Sequence, residues 1–131
     1  MANIFKTEII RPEKIIFSED SHMVTFPSYE GDMSLLENHI SLITFLRPGI
    51  IKVQNKDEGV KEFFVEDGTV EFSGNNLIVL SSSAIYVKSL TKEFINELNK
   101  DTEQKLENKD ISDHEMYILN HKLNTIIEIR I

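Results

Sequence analysis

Across its 131 residues the chain has no cysteine and no tryptophan, and it has only three prolines and five glycines. Without cysteine there is no disulfide framework, no thiolate nucleophile and no cysteine-based zinc site, and a reducing compartment is permitted. Basic charge is scarce: Lys and Arg number 14 against 22 Asp and Glu, for a formal net charge of -8. With no run of basic residues, nucleic-acid binding through a basic patch is disfavoured, and basic partners suit the chain better. Long apolar runs are absent too, Leu77-Ile78-Val79-Leu80 being the longest aliphatic stretch. A membrane span needs roughly 20 such residues, so membrane contact is expected only indirectly. The opening MANIFKTEII lacks an apolar signal core and a cleavage site, which reads as a mature cytosolic start.

What is present suffices for a core, since 40% of residues are hydrophobic and eight are Phe. All the glycines (31, 49, 59, 68 and 74) and prolines (12, 27 and 48) lie between residues 12 and 74. Turn chemistry therefore ends there, and a boundary is expected soon after. Up to Lys88 the chain alternates short β-branched and aromatic runs with turn signals, the pattern of an all-β sandwich or barrel. Strands are predicted near 4–10, 14–17, 22–26, 42–46, 50–54, 61–66, 70–72, 77–80 and 84–88. Asp57-Glu58-Gly59 and Ser73-Gly74-Asn75-Asn76 fit hairpin loops, Asp67-Gly68 fits a tight turn or a bulge, and short connections imply antiparallel pairing.

From Thr91 onward Lys, Glu, Asn, Gln and Leu dominate without Gly or Pro, which predicts helix. Phe94, Ile95 and Leu98 are expected on one apolar face. Asn108-Lys109-Asp110 interrupts, and Ser112 with Glu115 forms a capping box that starts a second helix. There Met116, Leu119, Leu123 and Ile126 recur on one side, giving a helical hairpin. The closing Ile127-Glu128-Ile129-Arg130-Ile131 also alternates with period two, so strand competes with helix at the end.

Catalytic chemistry finds little support. His22, His39, His114 and His121 show no metal-ligand spacing, although His114 and His121 share a helix face seven residues apart. Ser81-Ser82-Ser83 lacks a nucleophile-elbow frame, and Glu30, Asp32 and Glu37 around Gly31 lack the aromatic surroundings of a sugar site. Neither common glycine-rich phosphate cradle occurs. A small hydrolase using His39 and an acidic residue would require turnover that no spacing suggests. Composition alone ends at a stand-alone β-sandwich protein-binding module with a helical tail.

An ordered motif series narrows this. It runs Pro12-Glu13-Lys14-Ile15-Ile16-Phe17-Ser18, then Pro27-Ser28-Tyr29-Glu30-Gly31-Asp32-Met33-Ser34-Leu35-Leu36-Glu37-Asn38-His39, then Leu46-Arg47-Pro48-Gly49. Gly68-Thr69-Val70-Glu71-Phe72 and Asn76-Leu77-Ile78-Val79-Leu80 follow. In order and spacing, over residues 3 to 88, the series resembles the epsilon subunit family of rotary F-type ATP synthases. That resemblance implies a mainly β fold with an α tail: a ten-stranded β-sandwich over 1–88 and a helix-turn-helix hairpin over 89–131. It also implies a non-catalytic central-stalk subunit without cofactors, on the cytoplasmic face of a bacterial inner membrane, coupling c-ring rotation to ATP synthesis through the gamma subunit. Carried over by position, Glu30, Gly31, Asp32 and Met33 are expected to face the c-ring, and His39 and Leu42 the gamma subunit.

Two departures qualify the resemblance. Some bacterial relatives start the first helix with an I/L-D-x-x-R-A nucleotide motif, where this chain reads Leu90-Thr91-Lys92-Glu93-Phe94-Ile95. Without the Asp and the Arg guanidinium, the bidentate phosphate grip is lost. The second helix offers only Lys122 and Arg130, besides two histidines, toward the alpha and beta subunits. Only weak regulation of ATP hydrolysis by the hairpin is therefore expected.

Overall fold

Alternation decides the first strand: along β1 (Phe5–Arg11), Phe5, Thr7 and Ile9 turn inward while Lys6 lies exposed and Glu8 half-buried. In the computed structural model, which describes residues 3–130, nine further strands follow. They are β2 (Lys14–Ser21), β3 (Met23–Ser28), β4 (Gly31–Leu35), β5 (Leu42–Leu46), β6 (Gly49–Asn55), β7 (Gly59–Val65), β8 (Gly68–Ser73), β9 (Asn76–Leu80) and β10 (Ile85–Tyr86). A short 3-10 turn, Val87–Ser89, leads to α1 (Lys92–Leu106) and α2 (Asp113–Arg130). The chain is thus a ten-stranded β-sandwich followed by a helical hairpin.

One layer runs β10-β7-β6-β3, with β4 paired to β3, and the other runs β5-β8-β9-β1-β2. They join at a corner where Ser28 of β3 meets Leu46 of β5. Phe26, Leu35, Ile51, Val65, Val70, Phe72, Leu77 and Val79 fill the space between. Across it the Phe17 and Phe63 rings meet edge-on at 5.4 Å. Such aromatic pairs carry large buried areas with specific geometry, which fixes how the layers stack.

Several local expectations need correction. β4 has no counterpart among the nine strands read from alternation; it pairs with β3 alone, and Leu35 is its only fully buried residue, so its period-two signal is weak. β1 and β9 pair in parallel, Lys6 against Asn76 through Ile10 against Leu80. These strands are distant in sequence, so short-connection logic does not reach them. Asp67-Gly68 belongs to a tight turn rather than a bulge, and it carries the chain from β7 in one layer to β8 in the other instead of closing a hairpin. Ser81 and Ser83 tie that crossing down, Ser81 Oγ donating to the Asp67 carbonyl at 2.6 Å and Ser83 Oγ accepting from the Glu66 amide at 2.9 Å. The β8–β9 hairpin turns through Gly74 and Asn75, both at positive φ (56° and 60°), as its sequence suggested.

Thr91 caps α1, its hydroxyl accepting from the Phe94 amide at 3.1 Å. Ser112 caps α2 in the same way from Glu115, but the Glu115 carboxylate accepts from the Ser112 hydroxyl rather than from the cap amide. The helix faces are less regular than their spacing. Phe94 and Met116 are exposed, whereas Leu119, Lys122, Thr125 and Ile126 are buried on α2. A helix packed on two sides buries a wider, mixed band than a simple apolar stripe. α2 does so because it lies between α1 and strand β6. Helix wins over strand through Arg130, and Ile131 lies outside the described residues.

Candidate functional site

The Pro27–Met33 motif folds into the β3–β4 hairpin, with Tyr29 and Glu30 at its apex between the paired Ser28 and Gly31. Ser28 braces the turn from inside: its hydroxyl donates to the Gly31 carbonyl at 2.6 Å and accepts from the Glu30 amide at 3.2 Å. Gly31 stands at φ 119°, which a side chain would strain even though a Cβ there would meet nothing. Tyr29, Glu30 and Asp32 are exposed, while Met33 turns inward and packs against the core. Of the four residues expected to form one acidic tip, Glu30 and Asp32 therefore present charge and Met33 anchors it.

Arg47 had no role in the sequence reading. Its side chain is 15% exposed, and the guanidinium reaches Asp32 Oδ1 at 3.3 Å and donates to the Pro48 carbonyl at 2.9 Å. Beside it Gly49 lets β6 approach β3 within the layer, because a Cβ there would lie 2.5 Å from the Pro27 ring. The Leu46-Arg47-Pro48-Gly49 motif is thus the corner that carries the tip. Only a residue with a planar, multi-donor head can hold the carboxylate and the backbone together.

His39 and Leu42 lie beyond β4. His39 is exposed, its Nδ1 2.8 Å from the Ile40 carbonyl and its ring edge-on to Phe72 at 6.2 Å. Leu42 packs against the core instead of presenting its whole side chain. The alternating partners Ile43 and Phe45 point outward, 72% and 60% exposed. Phe45 opens a cross-strand row that continues through Thr69 and Leu80 to Ile10 and Ile15. This row is an apolar stripe on the outer face of the β5-β8-β9-β1-β2 layer, bordered by the mixed row of Ile43, Glu71, Ile78 and Glu8, and exposed apolar stripes suit protein contacts.

The hairpin docks near the tip. Lys122, buried on α2, meets Glu66 at 2.6 Å, and the Tyr117 hydroxyl donates to the Tyr29 carbonyl at 3.2 Å. Tyr29 stacks with His114 and with Tyr117, which in turn packs on His121 at 4.4 Å. His114 and His121 are therefore separated by Tyr117 and do not converge. Among the described residues no cluster of three or more His, Asp and Glu is arranged to hold a metal ion.

His121 lines a cleft of about 220 Å³ between α2 and the sandwich, with Arg47, Asp32, Lys52 and Glu128. Burial holds its pKa below the usual histidine range; the Arg47 charge adds to this and Asp32 opposes it. The docked hairpin thus binds fewer protons than the released one. Above the ordinary histidine pKa both states are neutral and nothing is lost, and docking weakens as pH falls below about 6.5. Hydrogen exchange of the α2 amides should accelerate between pH 7 and pH 5.5 relative to the β-sandwich core, and His121→Gln should remove that difference.

Among the described residues no helix is long and apolar enough to cross a membrane. The family described as ATP synthase, Delta/Epsilon chain, beta-sandwich domain matches residues 4–87. A protein named ATP synthase epsilon chain from Pelagibacter ubique (strain HTCC1062) is 44% identical over 127 residues, 96% of this chain and 97% of its own length. The ATP synthase epsilon chain of Ruegeria sp. (strain TM1040) is 33% identical over 116 residues, 87% of this chain and 84% of that one. In fold, a chain from the Euglena gracilis mitochondrial ATP synthase structure, described as OSCP/F1/c-ring in rotational state 1, is similar at a TM-score of 0.82 and 15% identity. That likeness covers 100% of this chain and 84% of the other.

Proposed function

The chain belongs to the ATP synthase delta/epsilon family as an epsilon chain, a non-catalytic subunit of the central stalk, and from that premise we propose how its surfaces are divided. The exposed carboxylates of Glu30 and Asp32, held on a braced turn, meet the polar loops of the c-ring. Gly31 and Met33 shape that tip, one by its backbone and the other by its anchor in the core. The gamma subunit takes His39 and the strand that follows, where Leu42 supports the exposed Ile43 and Phe45. The observation that carries this division is the difference in chemistry between two neighbouring surfaces of the sandwich, a turn that exposes the Glu30 and Asp32 carboxylates and an apolar row that begins at Phe45. Charge complementarity sets register at the first, and apolar burial supplies affinity at the second.

In this reading residues 1–88 form the partner-binding unit and 89–131 the hairpin, in an enzyme at the cytoplasmic face of a bacterial inner membrane. Truncation after Lys88 should leave a folded sandwich that still binds gamma, since the core between the layers is complete without α1 and α2. Pull-down from detergent-solubilised membranes checks this. A truncated chain that folds by circular dichroism yet recovers no gamma would contradict the division.

Coupling is mechanical: the ring turns the sandwich, and the sandwich turns gamma. The hairpin contributes weak regulation of ATP hydrolysis at most, because Lys122 is engaged by Glu66 and offers no free cation to alpha or beta while docked. ATP itself should bind no better than about millimolar, a free energy near -4 kcal/mol. The Thr91 hydroxyl is committed to capping α1, and Phe94 stands where relatives place an arginine. Calorimetry with MgATP decides this, and a micromolar dissociation constant would overturn it.

A further inference from the structure

The two-residue turn Tyr29-Glu30 joins β3 to β4, a strand that pairs only with β3, and Ser28 braces it from inside. Its exposed outer side has no such brace within the sandwich, and exposed turns open more readily than core strands. Here α2 supplies an outer support. Tyr29 is stacked with His114 at 6.0 Å and with Tyr117 at 5.9 Å, both at 16° between planes, and the Tyr117 hydroxyl bonds the Tyr29 carbonyl. The same helix is fastened elsewhere by Lys122 on Glu66 and by buried Ile126. Docking of the hairpin and the shape of the turn are therefore physically joined through one aromatic stack.

We propose that Tyr117 is a positioning residue for the partner-facing tip, so that the docked hairpin holds the Tyr29–Glu30 turn in its binding shape and the partner, once bound, holds the hairpin down. This rests on the reading that the tip meets the c-ring. The ring's loops need contact only Glu30 and Asp32; the hairpin acts through Tyr29. Because binding and docking share one equilibrium, each changes the other by the same factor. Aromatic contacts of this exposure set that factor at about three- to tenfold.

The test uses the full chain and has two arms. In the chain alone, amide exchange at Glu30 and Gly31 should rise about three- to tenfold in Tyr117→Ala. It should stay near the wild-type rate in Tyr117→Phe, which keeps the ring, and rise again in Lys122→Glu, which releases the helix without touching the turn. Unchanged tip exchange in Tyr117→Ala, with sandwich-core exchange intact, overturns the brace whatever the ring does. In the second arm, detergent-purified c-ring should bind Tyr117→Ala and Lys122→Glu more weakly by the same factor. Saturating ring should in turn slow exchange at Thr125 and Ile126 of the wild type. Equal ring affinity for all variants overturns the coupling. A wild-type chain that does not bind the ring while its tip exchange behaves as described overturns the ring assignment and leaves the brace standing.

Discussion

Replacing Glu30 and Asp32 together by lysine is expected to uncouple proton movement from ATP turnover while leaving the sandwich folded. Both side chains are exposed, so neither substitution disturbs the core. Asp32 does lose its partner Arg47, and a lysine there would face that guanidinium across about the same gap. An ion pair whose carboxylate is largely solvated contributes at most about 1 kcal/mol, which the core between the layers tolerates. At the ring the arithmetic differs. Like charges brought together at an interface cost several kcal/mol, enough to weaken the contact by orders of magnitude. Screening over a Debye length of about 8 Å at physiological salt makes the defect deeper at low ionic strength. ATP hydrolysis and ATP-driven proton pumping on inverted membrane vesicles should separate, hydrolysis persisting while pumping falls. Glu30→Lys alone gives the cleaner reading, because it leaves Arg47 and Asp32 paired. Unchanged pumping at both low and high salt would remove the tip from the ring contact.

The second large effect concerns the hairpin. Lys122 is 8% exposed along its side chain and Glu66 38%, with 2.6 Å between their charged atoms. Lys122→Glu puts two carboxylates into that space, one of them with little access to water. Breaking a fully buried pair costs about 3–5 kcal/mol, and the partial exposure of Glu66 brings the expectation down to about 2 kcal/mol. The hairpin's other fastenings are the Tyr29 stack with His114 and Tyr117, Lys52 near Glu128 at 3.9 Å, and the apolar contact of Ile126. Protection of the α2 amides should therefore fall more than tenfold while Phe26 and Val70, deep in the sandwich, keep theirs. Simultaneous loss of protection in both would mean that sandwich and hairpin unfold as one unit.

How much of this was legible in the sequence follows from the range of the interactions. Alternation within β1, β5 and β9 and the Gly74-Asn75 turn are local, and they read correctly. So is the cap at Ser112. β4 escaped because an edge strand with polar Asp32 and Ser34 carries only half a pattern. Period two also separates Leu42 from Ile43 without saying which one faces the core; the packing of the two layers decides that. Arg47, Tyr29 and Tyr117 were beyond reach for a different reason. Their roles depend on contacts 15 and 88 residues apart, which no window along the chain contains. The Glu30–Asp32 tip came from motif resemblance, and its chemistry became readable only once Arg47 and α2 were seen beside it.

The absence of cysteine supplies the most direct test of the division of surfaces, because one introduced thiol is then the only one in the chain. Glu30→Cys and His39→Cys, each carrying a short photoreactive maleimide, should be reconstituted separately into the membrane-bound enzyme and illuminated. The expected result is an adduct with the c subunit from position 30 and with gamma from position 39. Exchange of the two products, or no adduct with either subunit from an incorporated chain, would contradict the proposed placement.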